Sequence, residues 1–323
     1  MKKGHLAWPV VLLAVLLASC SRYDLYDWIV EYERDQAGLR QAYVELEGLT
    51  IAYLHDDEAS PQRTLLMVHG FGGNKDNWTR MAAQLPDDYR LLIPDLPGHG
   101  DSSIASPAAY TVEAQAATLV AFLDRLGVER VDMAGNSMGG GIAVYFASRY
   151  PERVNSIALF DPAGSDRYPS QLDDALARGE NPLVVSESGD LDQLLDFVME
   201  KRPFLPWPLT SVMEEKAMAR KSVNEEIFDA ILSSGEQLSL EHILPTIKDP
   251  TLIVWGRQDR VLAPENARVF AEGIPDTRVE LLEGVGHVPM VEVPARSAQL
   301  WHDFLQRLPE AEVGASAQSP TTP

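Results

Sequence analysis

Residues 131–149 read VDMAGNSMGGGIAVYFASR, and this stretch decides the fold. It opens with an apolar run, Val131–Ala134, typical of a buried strand, and closes with the helical pattern Gly140–Arg149. Between them, residues 135–139 form a G-x-S-x-G pentapeptide. A strand that turns sharply into a helix at such a pentapeptide exposes its serine oxygen at the end of the strand. We therefore interpret Ser137 as a nucleophile. The alternative is that it belongs to an incidental glycine-rich turn.

Outward from this stretch, strand-like apolar runs alternate with helical patterns. Strands are predicted at 42–47, 50–55, 64–69, 90–94, 131–134, 156–160, 251–255 and 278–282, and helices at 112–126, 140–149, 265–272 and 296–308. The first two strands are predicted to form an antiparallel pair. The others are continuous apolar runs, as expected of parallel strands covered on both faces. The pattern predicts an α/β fold with a mostly parallel eight-stranded sheet and helices on both faces.

The chain is predicted to have several parts in order. They are a signal peptide at 1–19, a connector at 20–40, a core at 41–162 and 246–308, a helical cap at 163–245 and a disordered tail at 309–323. The cap is inferred because the rhythm of buried strands stops there while helical stretches continue. It is expected to lie over the carboxyl ends of the strands, where ligands bind in sheets of this kind.

A serine hydroxyl needs a base, and His287 is the best candidate among the seven histidines. It lies in the flexible sequence GVGHVP, after the last predicted strand and before the last helix. The base is expected there when the chain order is serine, acid, histidine. The other histidines are assigned to the signal peptide, to strand or helix positions, or to structural turns: His5, His55, His69, His99, His242 and His302.

The base must in turn be held in one tautomer by an acid. Asp259 follows the buried strand at 251–255 and is the favoured acid. Asp161, at the end of the strand at 156–160, is its rival because some lipases carry the acid there. Asp249 precedes a strand and therefore lies at the wrong end of the sheet.

The tetrahedral intermediate of such a reaction needs two preorganised donors for its oxyanion. The backbone N–H of Met138, directly after the nucleophile, is one candidate. The second is the N–H of Phe71, in the HGFGG loop that follows the strand at 64–69. A phosphate-binding loop is the alternative for this glycine run, but it lacks the Lys-Ser/Thr ending and the G-x-G-x-x-G spacing. No metal-binding motif is recognised, so a metal is not expected.

Composition and charge exclude several classes of protein. The chain has 323 residues, 45% of them apolar and 23% charged, which is ordinary for a globular protein. With 27 basic and 48 acidic side chains, its formal charge is −21, so nucleic acid is not expected as a partner. One cysteine excludes an internal disulfide framework. Nothing in the sequence implies a protein partner.

The single cysteine lies at the end of an apolar leader. Residues 1–20 read MKKGHLAWPVVLLAVLLASC, with two lysines followed by an apolar stretch too short to span a bilayer. The ending LASC resembles a bacterial lipobox, in which Cys20 would be lipidated after cleavage. The prediction is a lipid-anchored protein of the bacterial cell envelope. The outer membrane is favoured because Ser21, rather than an aspartate, follows the cysteine. The alternative is an ordinary secretory signal and a secreted protein.

Together these motifs resemble the α/β-hydrolase superfamily over about residues 32–308. The stretches HGFGGNKDNWTR, GNSMGG, VWGRQDRV and VGHVPMVE are similar to lipase-3-type bacterial triacylglycerol lipases and to animal monoacylglycerol lipases of the α/β-hydrolase-domain group. The resemblance implies hydrolysis of carboxylic esters of lipids, with Ser137, Asp259 and His287 as the triad and without a cofactor.

The cap then suggests where an acyl chain would bind. Its segment PFLPWPL carries Phe204 and Trp207 among prolines that stiffen it, and we expect these side chains to line an acyl pocket. The alternative is that these apolar side chains form a small satellite core with a structural role. Two alternatives for the function also remain. The same triad serves carbon–carbon bond hydrolases and cofactor-free haloperoxidases, and an inactive envelope lipoprotein could retain the fold.

Overall fold

The computed structural model describes residues 21–56, 61–205, 208–233 and 239–309. The predicted signal peptide with Cys20, the cap residue Trp207 and most of the predicted tail therefore lie outside the described residues. Among the helices of the described ranges, none combines the length and the apolarity that crossing a bilayer requires.

Within these ranges the strands form a single eight-stranded sheet. They are β1 Arg40–Leu46, β2 Leu49–His55, β3 Arg63–Val68, β4 Tyr89–Pro94, β5 Val131–Asn136, β6 Val154–Phe160, β7 Thr251–Gly256 and β8 Thr277–Leu282. Their order is β1-β2-β4-β3-β5-β6-β7-β8. The β1–β2 and β2–β4 pairs are antiparallel and the remaining pairs are parallel. The predicted α/β fold class is confirmed.

Helices cover the sheet. The α-helices are α1 Arg22–Gln36, α2 Thr79–Ala82, α3 Val112–Arg125, α4 Met138–Arg149, α5 Gln171–Ala177, α6 Asp190–Val198, α7 Leu209–Ala219, α8 Lys221–Ser233, α9 Asn266–Gly273, α10 Pro289–Glu292 and α11 Pro294–Leu305. Short 3-10 helices lie at Lys75–Trp78, Pro107–Tyr110, Pro151–Arg153, Leu240–His242 and Leu244–Thr246.

Two hydrophobic cores lie on opposite faces of the sheet. Because successive side chains of a strand point to opposite faces, Leu66 and Val68 of β3 enter one core, while Leu65 and Met67 enter the other. All four side chains are fully buried. The continuous apolar run that predicted a strand covered on both faces is explained by this alternation.

Between β6 and β7 the described residues contain helices and no strand. Helices α5 to α8 lie in this insertion, and two small apolar clusters form within it. One cluster contains Val185, Leu191 and Leu195, and the other joins Ile227 and Ala230 to Tyr110 of the core. The insertion is therefore packed in part against itself and in part against the core.

The order of the strands places three chain segments side by side. Strands β5, β6 and β7 are neighbours and run parallel, so their carboxyl ends meet at one edge of the sheet. Ser137 follows β5, Asp161 follows β6 and Asp259 lies just beyond β7. Sheet topology alone thus brings the predicted nucleophile and both candidate acids to one place.

Candidate active site

Ser137 lies at the turn between β5 and α4 in a backbone conformation that side chains rarely adopt. Its φ is 53° and its ψ is −119°. Helix α4 begins at Met138, two residues earlier than the sequence predicts, because the whole turn is made at Ser137 itself. Such a conformation costs of order 1–3 kcal/mol and persists only where the surroundings fix it.

The two glycines of the pentapeptide are required by close backbone contacts. A Cβ on Gly135 would lie 2.1 Å from the carbonyl oxygen of Gly139. A Cβ on Gly139 would lie 2.3 Å from the carbonyl oxygen of Val68 in β3. Any side chain at either position would push α4 away from the sheet, so the spacing of the motif follows from this crossing.

Main-chain hydrogen bonds hold the serine in place. The N–H of Ser137 donates to the carbonyl oxygen of Phe160 at 3.1 Å. Its own carbonyl oxygen accepts from the N–H groups of Gly141 at 3.0 Å and Ala163 at 2.9 Å. The strained residue is thus tied to the end of β6 and to the first turn of α4.

His287 and Asp259 form a buried pair. Nδ1 of His287 lies 2.8 Å from Oδ2 of Asp259. That oxygen also accepts from the indole N–H of Trp255 at 3.1 Å, while Oδ1 accepts from the N–H groups of Val261 at 2.8 Å and Leu262 at 3.0 Å. The four donors favour an ionised carboxylate with a fixed orientation. Because Nδ1 faces Asp259, Nε2 is the nitrogen left for chemistry.

Asp161, the rival acid, is bonded differently. It is fully buried, has a φ of 46°, and its Oδ1 accepts the N–H of Gly256 at 2.8 Å. Burial and the neighbouring Asp259 raise the pKa of Asp161 well above its usual range. Among the described hydrogen bonds, Nδ1 of His287 pairs with the carboxylate of Asp259 and not with that of Asp161, so the geometry favours Asp259 as the acid.

The same three side chains form a potential metal-binding group. One ligand atom from each of Asp161, Asp259 and His287 lies within 4.8 Å of the others, and no other such group is found among the described residues. Nδ1 of His287 is, however, already engaged by Asp259, whose oxygens accept three further N–H groups. A metal ion would have to displace these hydrogen bonds, so the arrangement fits a hydrogen-bonded pair better than a metal centre.

The predicted oxyanion loop lies directly against the nucleophile. A Cβ on Gly70 would be 3.1 Å from Cβ of Ser137, a tighter contact than most side chains make, so glycine favours this close approach. Phe71 follows it, and neither its N–H nor that of Met138 has a hydrogen-bond partner among the described residues. Both N–H groups are thus free to donate, which is what stabilisation of an oxyanion requires.

His69 orders this loop. Its Nε2 accepts the N–H of Leu96 at 3.0 Å, and its Nδ1 lies 2.8 Å from the carbonyl oxygen of Gly70. Burial lowers the pKa of His69, which keeps the ring neutral. The arrangement agrees with the structural role expected for it.

Two polar residues with structural roles at the site were not singled out by sequence reasoning. The amide of Asn136 donates to the carbonyl oxygens of Phe160 and His287, each at 3.0 Å. The carboxylate of Glu292 accepts N–H groups from Gly286 at 2.9 Å and from Glu200 of the insertion at 2.8 Å. Both lie inside the resembling stretches GNSMGG and VGHVPMVE, and that position was the only signal available.

The insertion also contacts the site through Val198 and Phe228. The N–H of His287 donates to the carbonyl oxygen of Val198, at the end of α6, at 2.8 Å. The ring of Phe228 in α8 meets that of Phe71 edge-on, with centroids 5.3 Å apart. Phe228 therefore joins the set of apolar residues beside the oxyanion loop, although its helical stretch carried no motif.

The two cap residues predicted to bind an acyl chain are placed differently. Phe204 is 86% exposed to solvent, so the structure places it in no enclosed pocket. Trp207 lies outside the described residues. A role for either in substrate binding stays a prediction.

Comparison with known proteins gives consistent relatives. Residues 63–294 match the family model described as alpha/beta hydrolase fold. The chain is 37% identical to Lipase 1 of Psychrobacter immobilis over 285 residues, 85% of this chain and 87% of that protein. It is 28% identical to monoacylglycerol lipase abhd6-B of Xenopus laevis, covering 94% and 90% of the two chains. A crystal structure of a membrane phospholipase A, described as a bacterial virulence factor, superposes with a TM-score of 0.86 at 42% identity, covering 93% and 97%.

Proposed function

The chain belongs to the alpha/beta hydrolase fold family, and from this premise we propose that it is a serine ester hydrolase of the lipase type with Ser137, His287 and Asp259 as its triad. The relatives named as lipases over most of the chain support the ester hydrolase activity. The observation that carries the triad is the 2.8 Å pair of His287 and Asp259, at the strand ends where Ser137 sits in its strained turn.

The proposed reaction has two halves. Oγ of Ser137 attacks the carbonyl carbon of the ester while Nε2 of His287 takes the hydroxyl proton. The bond to the alcohol oxygen then breaks, and His287 returns the proton to the departing alcohol. Water, deprotonated by the same nitrogen, attacks the acyl-enzyme and releases the fatty acid, which restores the Ser137 hydroxyl.

The remaining groups stabilise charge in each half. The N–H groups of Phe71 and Met138 bind the oxygen that becomes negative in the tetrahedral intermediate. The carboxylate of Asp259 keeps the proton of His287 on Nδ1 and stabilises the imidazolium that forms when Nε2 is protonated.

Loss of the nucleophile tests the proposal directly. Ser137→Ala removes one oxygen and is expected to abolish hydrolysis of a chromogenic ester, a loss on the order of 10⁶-fold in kcat, with an unchanged melting curve. His287→Ala should be as damaging, because the members of a triad act as a unit. A fluorophosphonate probe should label wild type and not Ser137→Ala. Failure to label wild type would favour an inactive envelope protein.

We propose fatty acyl esters of glycerol as the substrate class, either acylglycerols or glycerophospholipids. The relatives named as lipases support the first, and the 42% identical membrane phospholipase A supports the second. Rates of fatty acid release from monoacylglycerol, triacylglycerol and phosphatidylcholine decide between them. Turnover of a ring-cleavage diketone without turnover of any ester would assign the chain to the carbon–carbon bond hydrolases instead.

We also propose that the mature protein is anchored in the bacterial cell envelope through lipid on Cys20. The sequence LASC and the membrane association in the name of the phospholipase relative support this. Several acyl chains on one residue anchor a protein stably where one chain does not. Cys20→Ala should move the protein out of the detergent phase on partitioning, while Ser19→Ala, which keeps a small residue before the cysteine, should not. Unchanged partitioning of Cys20→Ala would indicate an ordinary secreted protein.

A further inference from the structure

One buried oxygen beside the triad has no hydrogen-bond partner. Oδ2 of Asp161 is enclosed by protein, and no described residue donates to it. Its sister oxygen Oδ1 accepts a single N–H, that of Gly256. A buried carboxylate oxygen without a donor is costly, so the ionised form of this side chain is poorly stabilised.

A second carboxyl group lies beside it. Asp161, Asp259 and His287 each place one nitrogen or oxygen within 4.8 Å of the other two. Two ionised carboxylates this close in a buried site repel each other, so protonation of one of them is favoured.

The hydrogen-bond donors decide which group holds that proton. Asp259 accepts from Trp255, Val261 and Leu262 and is paired with Nδ1 of His287. Asp161 accepts from one N–H only. Because donors stabilise the ionised form, the negative charge stays on Asp259 and the proton stays on Asp161.

We propose that Asp161 is a positioning residue, a neutral carboxylic acid whose Oδ2 hydroxyl donates a hydrogen bond to the carboxylate of Asp259. This inference rests on the triad proposed above and adds a fourth side chain to it. The donated bond fixes the carboxylate that orients His287, while the charge that stabilises the imidazolium remains on Asp259. Asp161 itself touches no reacting atom.

Two further observations support this role. Burial and the charge of Asp259 both raise the pKa of Asp161. Its backbone also adopts a φ of 46°, which an aspartate tolerates better than most residues and which sets the direction of the side chain. The main-chain N–H of Asp161 donates to the carbonyl oxygen of Val254 at 2.9 Å, which fixes that direction from the β7 side.

Two substitutions separate positioning from simple packing. Asp161→Asn keeps one oxygen for the Gly256 N–H and offers an amide N–H to Asp259, so kcat should stay within about 3-fold of wild type. Asp161→Gly removes the donor yet tolerates the positive φ, and kcat should fall about 10- to 100-fold with KM unchanged, as for loss of a hydrogen bond to a charged group. Equal activities of the two variants would overturn the proposal.

A spectroscopic test does not depend on activity. The infrared spectrum of wild type at neutral pH should contain the carbonyl band of a buried protonated carboxylic acid, and the band should be missing from Asp161→Asn. A difference spectrum without that band would show that Asp161 is ionised and would overturn the proposal.

Failure of this inference differs from failure of the proposed function. Labelling of wild type and both variants by the fluorophosphonate probe shows that Ser137 is reactive whatever the role of Asp161. An unlabelled wild type would instead contradict the proposed triad, on which the role of Asp161 depends. If Asp161→Gly loses its cooperative melting transition, the infrared comparison of wild type with Asp161→Asn decides instead.

Discussion

The side-chain amide of Asn136 donates to the main-chain carbonyl oxygen of His287 at 3.0 Å, although 151 residues separate them in sequence. The same amide donates to the carbonyl oxygen of Phe160 at 3.0 Å. The residue before Ser137 thus links the ends of β5 and β6 to the loop that carries His287. This bond is the most direct described connection between the serine turn and the histidine loop.

Asn136→Ala should therefore affect both stability and catalysis. The carbonyl oxygen of His287 loses this donor, and that of Phe160 loses one of its two donors, so the free energy of unfolding should fall by about 1–3 kcal/mol. A displaced histidine loop should lower kcat by about 10- to 100-fold. Denaturant unfolding and ester hydrolysis measure the two effects.

Asn155→Ala is the matched control for this change. Asn155 lies near the start of β6, away from the catalytic edge, and accepts a hydrogen bond from Arg130. It should change stability by about 0.5 kcal/mol or less and leave kcat unchanged. A kcat for Asn136→Ala equal to that of the control would show that the link has no catalytic role.

The two acids should respond very differently to amide substitution. Asp259→Asn should lower kcat by about 10⁴-fold, because the amide favours the wrong tautomer of His287. Asp161→Asn should cost about 3-fold or less. The measurement is kcat for hydrolysis of one chromogenic ester by both variants. The reverse ranking would assign the acid role to Asp161.

The cap should set the preference for acyl chain length. Each buried methylene contributes about 0.8 kcal/mol, so four extra carbons could raise kcat/KM up to about 100-fold from acetate to a medium-chain ester. Replacing Phe204 and Trp207 by serine should flatten this rise and spare acetate ester hydrolysis. The assay is kcat/KM across a series of acyl esters.

A matched control exists for the cap variants. Trp28 is an exposed aromatic residue of α1, 62% accessible, and Trp28→Ser should leave the chain-length profile unchanged. Because Phe204 is exposed in this structure, a single Phe204→Ser variant shows whether it meets substrate at all. A wild type fastest on acetate would indicate an esterase for small substrates.

Because Asp161 holds a proton in the folded protein, the free energy of unfolding should depend on pH. Its pKa in the folded state is raised by burial and by the facing Asp259 and Glu292, so folded protein keeps a proton that unfolded chain releases above pH of about 4. The free energy of unfolding of wild type then falls as pH rises, by up to about 1.4 kcal/mol per pH unit, until the pH reaches the pKa of Asp161 in the folded protein. His287 lies in the same cluster, is paired with Asp259 and is unchanged in the Asp161→Asn variant that tests this prediction.

Asp161→Asn removes this proton, so its melting temperature should rise relative to wild type as pH increases above about 4. Asp249 provides the comparison, because burial raises its pKa to about 6. The advantage of Asp249→Asn should therefore stop growing near pH 6 and should be smaller, since this group is only partly buried. Melting curves from pH 4 to 8 measure both. A constant offset for Asp161→Asn would mean that Asp161 is ionised in the folded protein.

The sequence by itself determined the elements and the reactive residue types. Apolar runs predicted the central strands β3 to β7, because a strand covered on both faces is largely apolar. The glycines around Ser137 and the order of Ser137, Asp259 and His287 along the chain are local features, so they could be recognised without coordinates.

The tertiary structure alone decided which side chains meet. That β5, β6 and β7 are neighbours, and that Asp161 therefore lies beside Asp259, depends on the order of strands in the sheet. The bond from Asn136 to His287 and the contact of Phe228 with Phe71 join residues far apart in sequence. Side-chain identity fixes what a group can do, but its protonation, its partner and its distance from another group are set by the packing of distant segments.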